Sequence, residues 1–200
     1  MLRDAGRGAF GLVRVVSIKK SEGEEYALKE LELKRVENDG IMDQVLAERD
    51  VLFEVGTHPY IVKLFSFWKT DAALYFLMEF VGGGDMFDYV RNNAKIEYKE
   101  AGRYVFQMAQ ALDFLGKKGI IYRDLKLENV LLSTKNGKQS VHLADFGLAK
   151  DMKKVTQSTT KTICGTIQYM APEILRSEPY GHEVDWWSLG VLGYLMVVGQ

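Results

Sequence analysis

Asp124, Lys126 and Asn129 stand two and three residues apart in Tyr122-Arg123-Asp124-Leu125-Lys126-Leu127-Glu128-Asn129, and a second acid follows in Asp145-Phe146-Gly147. Asp124 could orient a hydroxyl and accept its proton, and Lys126 could neutralise charge on a transferring phosphate. Asn129 and Asp145 carry hard oxygen donors of the kind Mg²⁺ takes. The chemistry these four could do together is transfer of a phosphoryl group to a hydroxyl. One Asp in a loop is ordinarily a cap or turn residue. The joint spacing, with the apolar run Val141-His142-Leu143-Ala144 leading into Asp145, argues for more than that.

Phosphate needs a cradle and a cation. Gly6, Gly8 and Gly11 in Gly6-Arg7-Gly8-Ala9-Phe10-Gly11-Leu12-Val13 would let backbone amides approach phosphates closely, because glycine has no Cβ in the way. Such a loop also occurs in dinucleotide folds, where a helix follows it. Here Leu12-Val13-Arg14-Val15-Val16 follows, and that run is β-rich. A tight hairpin turn is the plain structural alternative. Lys29, in Tyr26-Ala27-Leu28-Lys29, sits in a strand pattern where a lone lysine is ordinarily solvated. Glu48 changes that expectation. It falls on one face of a helix with Val45 and Leu52, and an acid on an apolar face needs a partner. An ion pair would hold Lys29 toward α- and β-phosphates.

These residues need elements to position them. Gly11 to Ile18 and Glu25 to Leu31 read as a hairpin across residues 19–24, followed by a helix at 42–54 and strands at 61–67 and 73–80. Gly82-Gly83-Gly84 marks a boundary, and the pattern then turns helical. Val105, Met108, Leu112 and Leu115 space as the buried face of a helix over 98–117. Val130–Leu132 and Val141–Leu143 read as strands joined through Asn136-Gly137. Residues 148–170 are polar, rich in Lys and Thr, and suit a mobile surface loop; 185–198 reads as a buried helix.

Of 200 residues, 47% are hydrophobic and 26% charged, an ordinary globular profile with enough apolar residues for a sizeable core. A net charge of −1 argues against a general nucleic-acid or anionic-membrane binder. The start, Met1-Leu2-Arg3-Asp4, lacks the apolar stretch of a secretory leader, and Trp186 to Val198 is too short to span a bilayer. One cysteine, Cys164, excludes an internal disulfide, fits a reducing compartment and reads as a packing residue. His58, His142 and His182 are scattered, so a zinc site is not expected.

With Ala171-Pro172-Glu173 these motifs occur in one order, and the chain resembles a eukaryotic serine/threonine protein kinase over essentially its whole length. Tyr122 in place of the usual His, Cys164-Gly165-Thr166, and Asp185-Trp186-Trp187-Ser188-Leu189-Gly190 are similar to the AGC group, the protein kinase A, G and C relatives. The run Thr162 to Met170 is most similar to ribosomal S-six kinase relatives. The resemblance implies an α+β fold of two lobes, a small β-rich one over 1–81 and a mainly helical, incomplete one over 82–200. It implies ATP and Mg²⁺ as cofactors and protein substrates with Ser or Thr acceptors. Catalysis falls to Asp124, Lys126, Lys29 and Glu48, and metal binding to Asn129 and Asp145. The nucleotide would meet Gly6, Arg7, Gly8, Ala9, Phe10, Gly11, Val13, Ala27 and Lys29; Met78 matches the gatekeeper, and Glu79 and Val81 the hinge whose backbone binds adenine.

Leu52, Leu64, Tyr122 and Phe146 match an apolar spine anchored by Asp185. Thr166 matches the residue that favours Ser/Thr acceptors. Thr162 matches a phosphosite for an upstream activating kinase, with Arg123 and Lys150 to receive the phosphate. Asp85 and Glu128 match acids that prefer arginine upstream of the acceptor, whereas Leu195 stands where some relatives carry a second such Glu. The implied place is the cytoplasm or nucleus. The later helices of the large lobe and the Arg partner of Glu173 have no counterpart, so the pattern is that of a C-terminally truncated kinase. A truncated, ATP-binding regulatory or scaffold form with little catalysis is the alternative. A small-molecule kinase would not be expected to carry Cys164-Gly165-Thr166 and Ala171-Pro172-Glu173.

Overall fold

The computed structural model describes residues 3–8, 11–17, 24–93, 95–135, 137–154 and 159–199, with backbone only for 3–8, 135 and 154. They group into two compact units, residues 1–57 with 62–81, and residues 58–61 with 82–200.

The first unit is built on an antiparallel sheet. Strands β1 (Arg3–Gly8), β2 (Gly11–Ser17) and β3 (Glu25–Glu32) are followed by helices α1 (Leu33–Asn38) and α2 (Met42–Val55). Strands β4 (Leu64–Lys69) and β5 (Ala73–Glu79) complete the order β1-β2-β3-β5-β4. The period-two rule of a strand shows in β3, where Ala27, Lys29 and Leu31 are buried. Lys29 is thus carried on the apolar face. Register puts Val13 on one side of it and Phe76 on the other, and sets Ala27 opposite Met78.

The expected 11–18 and 25–31 hairpin is present as a register from Leu12↔Glu30 to Ser17↔Glu25; its tip lies outside the described residues. The strand expected at 61–67 instead runs Leu64–Lys69, with a bulge between Leu64 and Ser66. Ile61 leaves that register because it pairs in parallel with Leu143. Helix α1 has no forerunner in the sequence reading: six residues burying only Leu33 and Val36 give periodicity too little length.

The second unit is mainly helical. Helix α3 (Met86–Asn93) starts at Asp85, whose Oδ1 accepts the amide of Asp88 at 2.8 Å, the bond of an N-cap. Helix α4 (Tyr98–Lys117) has the expected bounds. It buries Met108, Leu112 and Leu115, together with Ala101, Tyr104, Gln107 and Ala111, while Val105 is only half-buried. Gln107 is accounted for by a bond: its Oε1 accepts the amide of Val141 at 3.0 Å.

Strand β6 (Ile120–Ile121) follows α4, and β7 (Val130–Lys135) and β8 (Lys138–Leu143) form a hairpin; Asn136 of the turn lies outside the described residues. Strand β9 (Lys150–Asp151) pairs with β6. Helices α5 (Pro172–Leu175) and α6 (Glu183–Val198) close the described chain.

The loop expected over residues 148–170 contains β9, 3₁₀ turns at Met152–Lys154 and Ile167–Tyr169, and a bridge from Thr160 to Tyr180. Residues 155–158 lie outside the described residues. Helix α6 is not buried all round: Val184, Asp185, Leu189, Leu192 and Met196 face inward, while Trp186, Trp187, Tyr194 and Val198 are 42%, 49%, 65% and 57% exposed. A helix apolar on every side has no hydrophobic period, so its sequence cannot say which side is covered.

Candidate active site

In the first unit, Lys29 Nζ meets Glu48 Oε1 at 2.7 Å and Oε2 at 3.0 Å. Their side chains are 11% and 5% exposed. The Phe76 ring lies 5.4 Å from Nζ, so the pair is closed in by an aromatic face. Such a pair persists because each charge answers the other; alone, either would carry a large desolvation penalty.

Gly6 and Gly8 lie in β1 and Gly11 in β2, with Gly8 opposite Gly11; Arg7 is described by backbone alone, and Ala9 and Phe10 lie outside the described residues. Gly11 also has a task apart from any ligand. A Cβ there would lie 2.1 Å from the Glu30 carbonyl oxygen, so strand packing alone excludes a side chain. Met78 and Glu79 end β5, and the Glu79 amide donates to the Lys63 carbonyl at 2.8 Å; Val81 is buried.

In the second unit the chain leaves β6 and runs into Tyr122-Arg123-Asp124. Asp185, 3% exposed at the start of α6, anchors this turn. Its Oδ2 accepts the amide of Tyr122 and its Oδ1 that of Arg123, both at 2.8 Å. Burial pushes the Asp185 carboxyl up to about 6, against the pull of those two amides. Tyr122 is fully buried, packs edge-on to Phe146 at 4.9 Å and donates its hydroxyl proton to the Ala144 carbonyl. Burial, and then the nearby charges of Asp145, Asp124 and Asp185, hold its phenol well above the usual range. Leu52 and Leu64, the other expected spine residues, are buried in the first unit.

Arg123 takes a left-handed φ of 68°, and Asp145 one of 55°. Asp124, 8% exposed, is held from three sides. Lys126 Nζ lies 2.7 Å from its Oδ2, and Asn129 Nδ2 donates to the same oxygen at 2.8 Å and to the Asp124 carbonyl at 2.9 Å. The Thr166 hydroxyl donates to Oδ1 at 3.3 Å and receives Lys126 Nζ at 3.3 Å. Gly165 makes this possible: at φ 108°, its missing Cβ would have fallen 2.7 Å from the Arg123 carbonyl oxygen. Asp124, Lys126, Asn129 and Thr166 therefore form one bonded cluster. Asp145 is exposed, its Oδ1 accepting the Gly147 amide at 3.2 Å. Glu128 is exposed, and Asp85 is the cap of α3.

Thr162 is exposed, and its backbone carbonyl accepts the Tyr180 hydroxyl. Lys150 Nζ donates at 2.8 Å to the hydroxyl of Thr160, which lies 3.3 Å from that of Thr162. Arg123 Nε donates to the Leu148 carbonyl at 2.7 Å, while its Nη1 is buried with no hydrogen-bond partner. Thr160 and Tyr180 were not read from the sequence; a two-residue bridge carries no periodic signal. Among the described residues no group of three His, Cys, Asp or Glu could hold a metal ion, and no helix is long and apolar enough to cross a membrane.

A buried lysine–glutamate pair on the strand next to one that carries Gly11, and an acid held by a lysine and an asparagine, are features of a protein kinase domain. The chain belongs to the protein kinase domain family, which matches residues 1–200. It is 40% identical over 200 residues to atypical protein kinase C of Drosophila melanogaster, covering 100% of this chain and 32% of that protein. Protein kinase C zeta type of Oryctolagus cuniculus is 40% identical over 200 residues, with coverage of 100% and 33%. Protein kinase C eta type of Mus musculus is 41% identical over 199 residues, with coverage of 100% and 28%. The chain thus spans about a third of the length of the curated relatives it matches. Protein kinase C relatives agree with the AGC group expected from the sequence; the finer likeness to ribosomal S-six kinases finds no counterpart among these three.

Proposed function

We propose that this chain transfers the γ-phosphate of ATP to Ser or Thr hydroxyls of protein substrates, preferring arginine upstream of the acceptor. The observation that carries the reading is the cluster of Asp124, Lys126, Asn129 and Thr166. Asp124 is oriented by three donors, so it would accept the acceptor hydroxyl's proton without first having to reorient. Lys126, resting on Asp124, would meet the charge on the transferring phosphoryl group. Thr166 would crowd the same carboxylate from the other side and favour small aliphatic hydroxyls.

Lys29, aimed by Glu48, would take the α- and β-phosphates. The backbone of β1 and β2 around Gly6, Gly8 and Gly11 would cover the phosphates, with Val13 and Ala27 against the base. Met78 would border the adenine, and the backbone of Glu79 and Val81 would bind it.

The donor set fits Mg²⁺. Asp145 presents an exposed carboxylate, and Asn129, whose NH₂ group faces Asp124, keeps an amide oxygen as a hard donor. When bound, the ion would neutralise charge on the phosphate oxygens.

Asp85 and Glu128 supply acids for upstream arginine. Thr162 is the proposed site for an upstream kinase. The buried, unpartnered Arg123 Nη1 supports that, being a cationic donor without an acceptor. The test is an assay of the purified chain with Mg-ATP and an arginine-rich Ser peptide, before and after phosphorylation at Thr162. Transfer is expected to rise with the phosphate and to be lost in Asp124→Asn. Transfer that persists undiminished in Asp124→Asn would refute the reading.

A further inference from the structure

The segment from Thr160 to Thr166 is tied down by backbone and side-chain hydrogen bonds. Thr160 is 5% exposed and Tyr180 is 1% exposed. The Thr160 amide donates to the Tyr180 carbonyl and the Tyr180 amide to the Thr160 carbonyl, each at 2.9 Å, a closed two-way bridge. The Tyr180 hydroxyl reaches on to the Thr162 carbonyl. From the other direction, Lys150 Nζ donates to the Thr160 hydroxyl at 2.8 Å. Lys150 lies in β9, paired with Ile121 of β6, and β6 runs directly into Tyr122-Arg123-Asp124. The Tyr180 ring belongs to a buried cluster with Ile121, Met170, Ala171, Ile174 and Val184, so its position is fixed by packing. Four residues beyond Thr162, Thr166 bonds Asp124.

We propose that Tyr180 and Thr160 are positioning residues that hold this segment, and with it Thr166 at Asp124. The proposal rests on the proposed kinase activity for its catalytic consequence and goes beyond it in assigning part of the segment's order to the Tyr180 and Thr160 hydroxyls. Burial raises the Tyr180 phenol above its ordinary range, which keeps the hydroxyl protonated and able to donate.

The test uses the whole chain, phosphatase-treated, as wild type, Tyr180→Phe, Thr160→Val and Thr160→Ser. Tyr180→Phe keeps the packed ring and removes only the hydroxyl, so a purely structural ring predicts no change. Amide hydrogen exchange over residues 160–166 is read alongside kcat and the KM for ATP. Loss of one hydrogen bond should speed that exchange roughly fivefold in Tyr180→Phe and in Thr160→Val. It should lower kcat by a similar factor and leave the KM for ATP unchanged, with Thr160→Ser restoring both readouts. Phosphorylation at Thr162 should close most of the kcat gap. Unchanged exchange in both variants overturns the proposal, as does faster exchange with unchanged kcat. A wild-type chain that transfers no phosphate yet shows the exchange effect would remove the kinase reading and leave the hold on the segment supported.

Discussion

Lys29 and Glu48 are joined by two hydrogen bonds, 2.7 and 3.0 Å, at side chains that are 11% and 5% exposed. The proposed part of this pair in phosphoryl transfer can be separated from its part in folding. Glu48→Ala leaves a buried ammonium without its carboxylate and should cost about 3–5 kcal/mol of stability. The double variant Lys29→Met/Glu48→Leu should regain most of that loss in urea denaturation but recover no phosphoryl transfer. A double variant that regained activity would show the pair to be structural only.

Asp124 and Asp145 should fail in different ways. Asparagine is the right substitute at Asp145, because the left-handed φ of 55° is tolerated by Asn but strained for Ala. Asp145→Asn should weaken Mg-dependent ATP binding as well as turnover. Asp124→Asn should leave ATP affinity near wild type and lower kcat roughly 10²- to 10⁴-fold. Calorimetry with Mg-ATP, paired with kinetics, checks this; equal loss of nucleotide affinity in both variants would contradict the division of roles.

Asp185 should make the turn at Tyr122-Arg123-Asp124 sensitive to pH. Its value of about 6 in the fold lies above the ordinary 3.8, so between these the folded chain holds a proton that the unfolded chain does not. Protonation therefore stabilises the fold as pH falls through 6, and the cost of burying the charge is fully present above it. Catalysis should run the other way. A neutral carboxyl accepts the Tyr122 and Arg123 amides less well, so kcat should fall below about pH 6 while thermal stability does not. Asp185→Asn should lose that pH limb and be slower at neutral pH, by roughly tenfold for one charge-assisted bond. A limb near pH 6 that survives in Asp185→Asn would assign it to another group.

Asp85 caps α3, and the proposed recognition of upstream arginine can be separated from that role by the choice of substitute. Asn also caps helices, so Asp85→Asn should keep stability and lose part of the preference for upstream arginine, whereas Asp85→Ala should lose both, with about 1 kcal/mol of stability. Glu128→Gln should reduce the preference with no change in melting. Each exposed pair is worth up to about 1 kcal/mol and should fade with salt. A peptide library in which neither variant shifts the arginine preference would sink the assignment.

Much of the candidate site was legible because its residues sit at short, fixed spacings: Asp124, Lys126 and Asn129 fall within one loop, and the anomaly of Glu48 on an apolar face pointed to Lys29. Helix α4 was legible to the residue because twenty residues of period carry a strong signal. The cap role of Asp85 was visible in principle, since an acid precedes the apolar Met86-Phe87. Other features left no trace. The packing constraint on Gly11 comes from a carbonyl of β3, nineteen residues away. The bridge between Thr160 and Tyr180 joins positions that no local pattern relates.

The three tryptophans of the chain, Trp68, Trp186 and Trp187, are 39%, 42% and 49% exposed. Their indoles already meet water in the native fold, two of them along α6 and one stacked on Tyr75 at 5.2 Å. Light emission is therefore a weak witness of unfolding in this molecule: little red shift is left to gain, and far-ultraviolet dichroism will follow melting better. The same property makes the indoles good witnesses of contact. Anything that covers the outer side of α6 will move two of the three from water to an apolar surrounding, and the emission should shift to the blue.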